Sequence, residues 1–97
     1  MGLKEAYQEK MEAQLKEWSA KLQELKAKAD KAGADVKIEM YKQIDELRAK
    51  KEATQHQLNQ IKAAGAESWE ALKAGSEKTL EEMKKTWESM KARFHKE

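Results

Sequence analysis

Apolar side chains recur along this chain every three or four residues from Leu3 to Phe94, with interruptions at four positions. The recurrence takes 25 steps over 91 residues, which is 3.64 residues per step. An α-helix has about 3.6 residues per turn, so this spacing places the side chains on one face of a helix. A strict heptad, at about 3.5, would impose a left-handed supercoil. The pattern therefore predicts nearly straight amphipathic helices that pack through one apolar stripe.

The candidate interaction surface is a set of large apolar side chains on this stripe. Met and Trp are frequent in it, and both residue types favour contacts between helices or between proteins. A bundle core filled by the same side chains is the simpler interpretation. The predicted interaction stripe consists of Leu15, Trp18, Leu22, Leu25, Val36, Met40, Ile44, Leu47, Trp69, Leu72, Leu80, Met83, Trp87, Met90 and Phe94.

Composition supports helices and argues against strands. Ala, Glu, Lys, Leu and Arg, all strong helix formers, make up 58 of the 97 residues, and proline is absent. Val, Ile and Thr, which favour strands, together number only seven. Glu and Lys recur four residues apart on the outer face, as in Glu46–Lys50, which stabilises a solvated helix surface. We expect an all-α fold with coiled-coil-like packing, in a single domain that spans residues 1–97.

Two glycines are the expected turns. Gly33 and Gly65 divide the chain into three segments of about thirty residues, each ~45 Å long as a helix. Glycine suits the left-handed position after a helix, and Asp35 or Ser68 can cap the helix that follows. A turn at Gly65 alone gives an amphipathic helical hairpin, whereas turns at both glycines give a three-helix bundle. Gly75 is a weaker third site, and the stripe keeps its phase through Gly33 and Gly65.

The hairpin alternative implies self-association. A helix over residues 3–63 would be ~90 Å long, so residues 67–94 would cover only half of it. The stripe from Tyr7 to Leu25 would then lie exposed, and an exposed apolar strip of that length drives dimerisation. The sequence favours this self-associating form, with a second copy of the chain as the expected partner.

Ile38 and Tyr41 are, besides Met1, the large apolar side chains that lie off the stripe. They lie roughly opposite it, so residues 36–44 are apolar on two faces. A helix needs two apolar faces when it contacts two neighbours. The middle segment is therefore expected to be the centre of the assembly.

The sequence contains no constellation with catalytic or metal-binding spacing. Cysteine is absent and His56 lies 39 residues from His95, so the usual ligands of a metal site are missing. Glu81 and Glu82 are adjacent but lie in no predicted cleft, and the phosphate-binding loop pattern is absent. We expect a protein that is not an enzyme and uses no cofactor, metal or small-molecule substrate.

Charge and hydropathy restrict the classes of partner. Twenty basic and eighteen acidic residues give a net charge of +2 and alternate along the chain, whereas nucleic-acid binding needs a basic face. No window approaches the ~18 apolar residues of a membrane span, and the N-terminus lacks the apolar run of a signal peptide. The expected location is the cytoplasm. Lysines beside a stripe rich in Trp, Leu and Met also suit an interfacial helix, so a membrane surface or an unfolded client protein is the alternative partner.

Two segments carry a family resemblance: residues 38–50, IEMYKQIDELRAK, and residues 68–78, SWEALKAGSEK. They resemble small bacterial coiled-coil proteins that are often labelled uncharacterised or stress-response, and the likeness extends over most of residues 4–94. A weaker likeness, through an eleven-residue periodicity, is to apolipoprotein-type and late-embryogenesis-type amphipathic helices. The resemblance implies a stress-linked role and no catalytic residue. The expected function is a non-enzymatic structural or protein-interaction module that self-associates; the alternative is a reversible binder of membrane surfaces or unfolded clients.

Overall fold

The computed structural model of the chain describes residues 2–94. Three α-helices follow one another, α1 (Leu3–Lys31), α2 (Ala34–Ala63) and α3 (Trp69–Phe94), and no strand occurs in this part of the chain. The helices form a bundle 50 Å long and 18 Å across. The all-α fold is confirmed, and of the two predicted architectures the chain adopts the three-helix bundle.

The turn between α1 and α2 consists of two residues in extended conformations. Ala32 has φ −81° and ψ 160°, and Gly33 has φ −65° and ψ 162°. The prediction of a left-handed glycine is therefore wrong; the chain reverses because ψ of both residues leaves the helical region. Gly33 is itself the N-cap of α2, so Asp35 lies in the first turn rather than at the cap. There its carboxylate faces the positive end of the helix dipole, which is still favourable.

The favoured expectation of a single helix over residues 3–63 is wrong for this structure. α1 ends at Lys31, and its apolar stripe from Tyr7 to Leu25 is buried against the other helices. Because the three segments have similar lengths, each can cover the apolar face of another once the chain turns. α3, in contrast, runs without a break through Gly75, where the sequence suggested a third turn.

The second turn lies between Ala63 and Trp69, and the predicted break near Gly65 is confirmed. The carbonyl oxygen of Gly65 accepts hydrogen bonds from the backbone N–H groups of Ser68 (3.1 Å) and Trp69 (3.3 Å). This glycine is not left-handed either, and a Cβ atom at Gly33 or Gly65 would meet nothing within 4 Å. Both glycines therefore favour a helix end through their low helix propensity rather than through a conformation reserved for glycine.

α2 is the central helix and packs along both α1 and α3, as expected for the middle segment. The core consists of two clusters, which we call the Trp18 cluster and the Tyr7 cluster. The buried side chains of the Trp18 cluster are Trp18, Leu22, Leu25, Ala29, Met40, Ile44, Leu47, Met83 and Met90. Those of the Tyr7 cluster are Tyr7, Met11, Leu15, Leu58, Ile61 and Trp69.

The second apolar face predicted for residues 36–44 is only partly used. Tyr41 packs against the Trp18 cluster, and its hydroxyl donates a hydrogen bond to the carboxylate of Asp30. Ile38 remains 56% exposed. α2 thus contacts its two neighbours mainly through the broad stripe around Met40, Ile44 and Leu47 rather than through a separate second face.

Two buried hydroxyl groups lie between the clusters. Thr54 and Ser76 are fully buried, and they interrupt the apolar stripe in α2 and α3. Each hydroxyl donates to a backbone carbonyl one turn earlier, Thr54 to Lys50 (2.9 Å) and Ser76 to Leu72 (3.1 Å). Because both are satisfied within their own helix, they can be buried without a polar partner on another helix.

Candidate interaction surface

The bundle uses most of the predicted interaction stripe as its own core. Ten of the fifteen residues are buried, and Val36, Leu72, Leu80 and Trp87 are half-buried. The side chain of Phe94 lies outside the described residues. The stripe is thus occupied mainly by contacts within one chain, and a surface for partners has to be sought where its side chains reach the solvent.

That place is an open groove between α1 and α3. The backbones of these two helices stay farther apart than those of the other helix pairs, and the groove between them has a volume of about 840 Å³. Its largest apolar side chains are Tyr7, Trp18, Leu80 and Trp87. Leu80 and Trp87 therefore belong both to the stripe and to the solvent-accessible lining of the groove.

An aromatic pair spans the groove between Trp18 and Trp87. Their ring centroids lie 6.1 Å apart with the planes at 84°, which is the favourable edge-to-face arrangement of two aromatic rings. The ammonium group of Lys21 lies 4.6 Å from the Trp18 centroid and 5.2 Å from the Trp87 centroid. One lysine therefore covers both rings by cation–π contact and holds α1 beside α3.

A second pair of the same kind joins Tyr7 to Trp69. The two centroids lie 5.9 Å apart at 39°, and the ammonium group of Lys73 lies 5.4 Å and 5.9 Å from them. Large rings with a covering lysine thus fill the gap between α1 and α3 at two levels. Such spacers explain why the two backbones stay apart.

The charges on the two groove walls are complementary. α1 and α3 run parallel, and the Tyr7–Lys73 and Lys21–Trp87 contacts each join positions 66 apart. Three charged residues of α1 that line the groove have a residue of opposite sign 67 positions later on α3, one position from this register, and these residues line the groove as well. They are Lys10 with Glu77, Glu17 with Lys84 and Lys21 with Glu88.

The hydroxyl of Tyr7 is buried at the groove and has no hydrogen-bond partner among residues 2–94. Burial first, and then the nearby carboxylate of Glu77, raises the pKa of Tyr7 to about 12, because both disfavour the phenolate. The amide oxygen of Gln14 in the same lining is likewise buried and unpartnered. Both groups are neutral at physiological pH, so the groove has polar atoms but no buried charge to bind an ion.

The predicted site residues missed four buried residues of the Tyr7 cluster, of which Tyr7 also lines the groove. Tyr7, Met11, Leu58 and Ile61 are buried like the residues that were included. Their signal was present, since all four continue the stripe at the same three- and four-residue steps. Gln14 had no such signal, because it lies beside the stripe, and its buried oxygen is a feature of the folded groove.

The other titratable groups considered in the sequence are exposed or undescribed. His56, Glu81 and Glu82 are exposed, and His95 lies outside the described residues. Contrary to the expectation that the two adjacent glutamates lie in no cleft, Glu81 lines the open groove. Within residues 2–94, no group of three His, Asp or Glu side chains is placed to hold a metal ion. None of the helices in this part of the chain is long and apolar enough to cross a membrane.

Comparison of the chain with protein-family models, with curated proteins and with solved structures finds no match. The resemblance to small bacterial coiled-coil proteins therefore stays a prediction. The basis for a functional proposal is the geometry of the groove and of the helix turns.

Proposed function

We propose that this chain is a non-enzymatic helical module that associates with copies of itself through the α1–α3 groove. The observation that supports the proposal is the groove itself, where the stripe residues Leu80 and Trp87 remain half-buried. α2 packs on both other helices, but within residues 2–94 no helix lies over the seam between α1 and α3. A further helix in that position completes a four-helix arrangement and buries the exposed part of both side chains.

Charge favours a second copy as the occupant. Each groove wall carries both acidic and basic side chains. They are Lys10, Glu17 and Lys21 on α1, and Glu77, Lys84 and Glu88 on α3. A strongly acidic or strongly basic partner would meet like charges on each wall, which disfavours the complex. A helix with Glu and Lys one turn apart can match both walls. The outer surface of this chain has that pattern, as in the Glu46–Lys50 ion pair (3.6 Å).

Charge reversal on one wall of the groove tests the proposal. Lys84 lines the groove, whereas the adjacent Lys85 is exposed and does not. Lys84→Glu should lower the association constant about fivefold, because the acidic side chain that the docked copy places against Lys84 then meets a like charge, and Lys85→Glu should leave it unchanged. The measurement is the light-scattering mass over a wide range of protein concentration. A monomer mass at every concentration, or equal effects of the two substitutions, would contradict the proposal.

The groove gives no support to the alternative function, which is the binding of membrane surfaces or unfolded client proteins. Reversible binding of membrane surfaces or unfolded clients requires the buried stripe to become accessible, and hence an opening of the bundle. The stress-linked role and the cytoplasmic location stay predictions.

A further inference from the structure

The turn between α1 and α2 differs from a helix in only two backbone angles. Ala32 and Gly33 have φ of −81° and −65°, close to the helical value of about −63°. Their ψ angles, 160° and 162°, are far from the helical value of about −42°. Rotation about these two bonds joins α1 and α2 into one helix over residues 3–63.

Few interactions hold the turn in its bent form. Its backbone hydrogen bonds are Ala32 N–H to Ala29 (3.1 Å) and Lys37 N–H to Gly33 (2.8 Å). The second already has helical i, i−4 spacing, and the first is replaced by such a bond when the chain straightens. No side chain caps α2, and nothing lies within 4 Å of the position of a Cβ atom on Gly33. Straightening therefore breaks little in the backbone of the turn, although it does break the hydrogen bond from the Tyr41 hydroxyl of α2 to the Asp30 carboxylate of α1.

The apolar stripe passes through the turn without losing phase. Leu25, Ala29, Ala32, Val36 and Met40 follow one another at steps of three or four residues. In a straightened helix the stripes of α1 and α2 therefore lie on one continuous face. The α1 half of that face is then uncovered, and α2 and α3 lose the helix that covered them.

We propose that two copies of this chain exchange α1 by straightening at Ala32 and Gly33, so that α1 of each copy packs on α2 and α3 of the other. α1 and α2 are antiparallel within one chain, and two long helices that cross antiparallel at Gly33 restore the same pairing between chains. Each half of the dimer repeats the three-helix bundle, and the long helix extends over ~90 Å. The partner is a second copy, as in the proposed function, but the surface is the α1-binding face rather than the groove.

The contacts of α1 are suited to such an exchange because both forms retain them. The ion pair of Glu12 with Lys62 (3.7 Å) and the hydrogen bond from Lys51 to Ser19 (3.3 Å) are formed again between the two copies. The conversion of two turns into helix favours the dimer, and the loss of independent motion of two chains opposes it. The balance is therefore sensitive to the residue at position 33.

Two substitutions at one position move this balance in opposite directions. Gly33→Ala should raise the dimerisation constant about 30-fold, because Ala is favoured over Gly inside a helix in each of two chains. Gly33→Pro should abolish the exchanged dimer, because a proline ring inside the long helix clashes with the carbonyl of Ala29. The bent monomer accepts proline, since φ at Gly33 is −65° and Ala32 before it is extended.

The experiment measures mass and hydrodynamic size of each variant after equilibration at high concentration, with circular dichroism to verify folding. Lys84→Glu is the control that separates the two proposals. The charged residues of α1 and α3 that line the groove face one another in the monomer and again, between two copies, in the exchanged dimer. Lys84→Glu should therefore leave the constant for exchange dimerisation unchanged. Association that responds to Lys84→Glu and not to position 33 supports the groove and overturns the exchange. A Gly33→Ala variant that dimerises no better than wild type, or a Gly33→Pro variant that dimerises equally well, also overturns it.

Discussion

The indole of Trp18 on α1 meets the indole of Trp87 on α3 edge-on, with centroids 6.1 Å apart and planes at 84°. The two residues are separated by the whole of α2 in sequence, and they join the two helices whose backbones approach least. Trp18 belongs to the buried core, whereas Trp87 packs against it from the groove. The pair therefore links the interior of the bundle to the surface that we propose for association.

Substitution of both rings should measure how much the contact between Trp18 and Trp87 contributes to the stability of the bundle. In a double-mutant cycle, Trp18→Leu and Trp87→Leu should show a coupling free energy of about 1 kcal/mol, as is typical for an edge-to-face aromatic pair. The measurement is the free energy of unfolding from urea denaturation. Trp69→Leu is the matched control, because Trp69 belongs to the Tyr7 cluster and its effect should add to that of Trp87→Leu. Additive effects for Trp18 and Trp87 would show that the ring contact has no stability of its own.

Tyr7→Phe should stabilise the bundle at neutral pH by about 1 kcal/mol, because it removes a buried hydroxyl that has no hydrogen-bond partner. The ring contact with Trp69 is retained. The comparison is between urea midpoints of the variant and the wild type. A loss of more than about 1 kcal/mol would mean that the hydroxyl has a partner in solution.

The same tyrosine predicts a difference in alkaline stability. The pKa of Tyr7 is raised to about 12 in the folded chain, against about 10 when unfolded, so the folded state holds the phenol proton more tightly. Its contribution to stability is complete below pH ~10 and is lost as the pH rises towards ~12. The difference in unfolding free energy between Tyr7→Phe and wild type should therefore grow over this interval in favour of the variant. A constant difference would contradict the shift. Lysine titration affects both proteins alike and cancels in the comparison.

Substitutions on the two faces of α2 should differ greatly. Ile44 and Leu47 are buried, whereas Glu46 between them is exposed. Ile44→Asp or Leu47→Asp places a carboxylate without a partner in the core, at a cost of several kcal/mol. Glu46→Ala removes one exposed ion pair with Lys50 and should change the free energy of unfolding by less than about 0.5 kcal/mol. Similar urea midpoints for the three variants would show that α2 does not bury the face with Ile44 and Leu47.

Tryptophan emission discriminates between a closed bundle and a lipid binder. Trp18 and Trp69 are buried in the bundle, and Trp87 is half-buried. If the stripe stays closed, vesicles of anionic phospholipid should leave the emission maximum unchanged. A blue shift with increased helix content would favour membrane binding through an opened stripe. Trp87→Phe removes the most exposed of these reporters and keeps an aromatic ring beside Trp18, so the remaining emission reports on Trp18 and Trp69 alone.

Local features of the sequence determined the helices and the face that each one buries. The stripe from Leu3 to Phe94 has the period of a helix, and its side chains from Tyr7 to Met90 are buried or half-buried at most positions. The helical period depends on neighbours three and four residues apart, so it can be read without knowledge of the fold. The turn near Gly65 was predictable for a similar reason, because a glycine that disfavours helix is followed at Ser68 by a residue that can cap the next helix.

The turn at Gly33, the register of α1 against α3 and the isolation of the Tyr7 hydroxyl were decided only by the tertiary structure. A glycine inside a helix costs only about 1 kcal/mol, and the stripe keeps its phase with or without the turn. The difference between a bent and a straight chain therefore comes from which apolar faces cover one another. That depends on contacts between Trp18 and Trp87 and others equally distant in sequence, and no local pattern of residues encodes them.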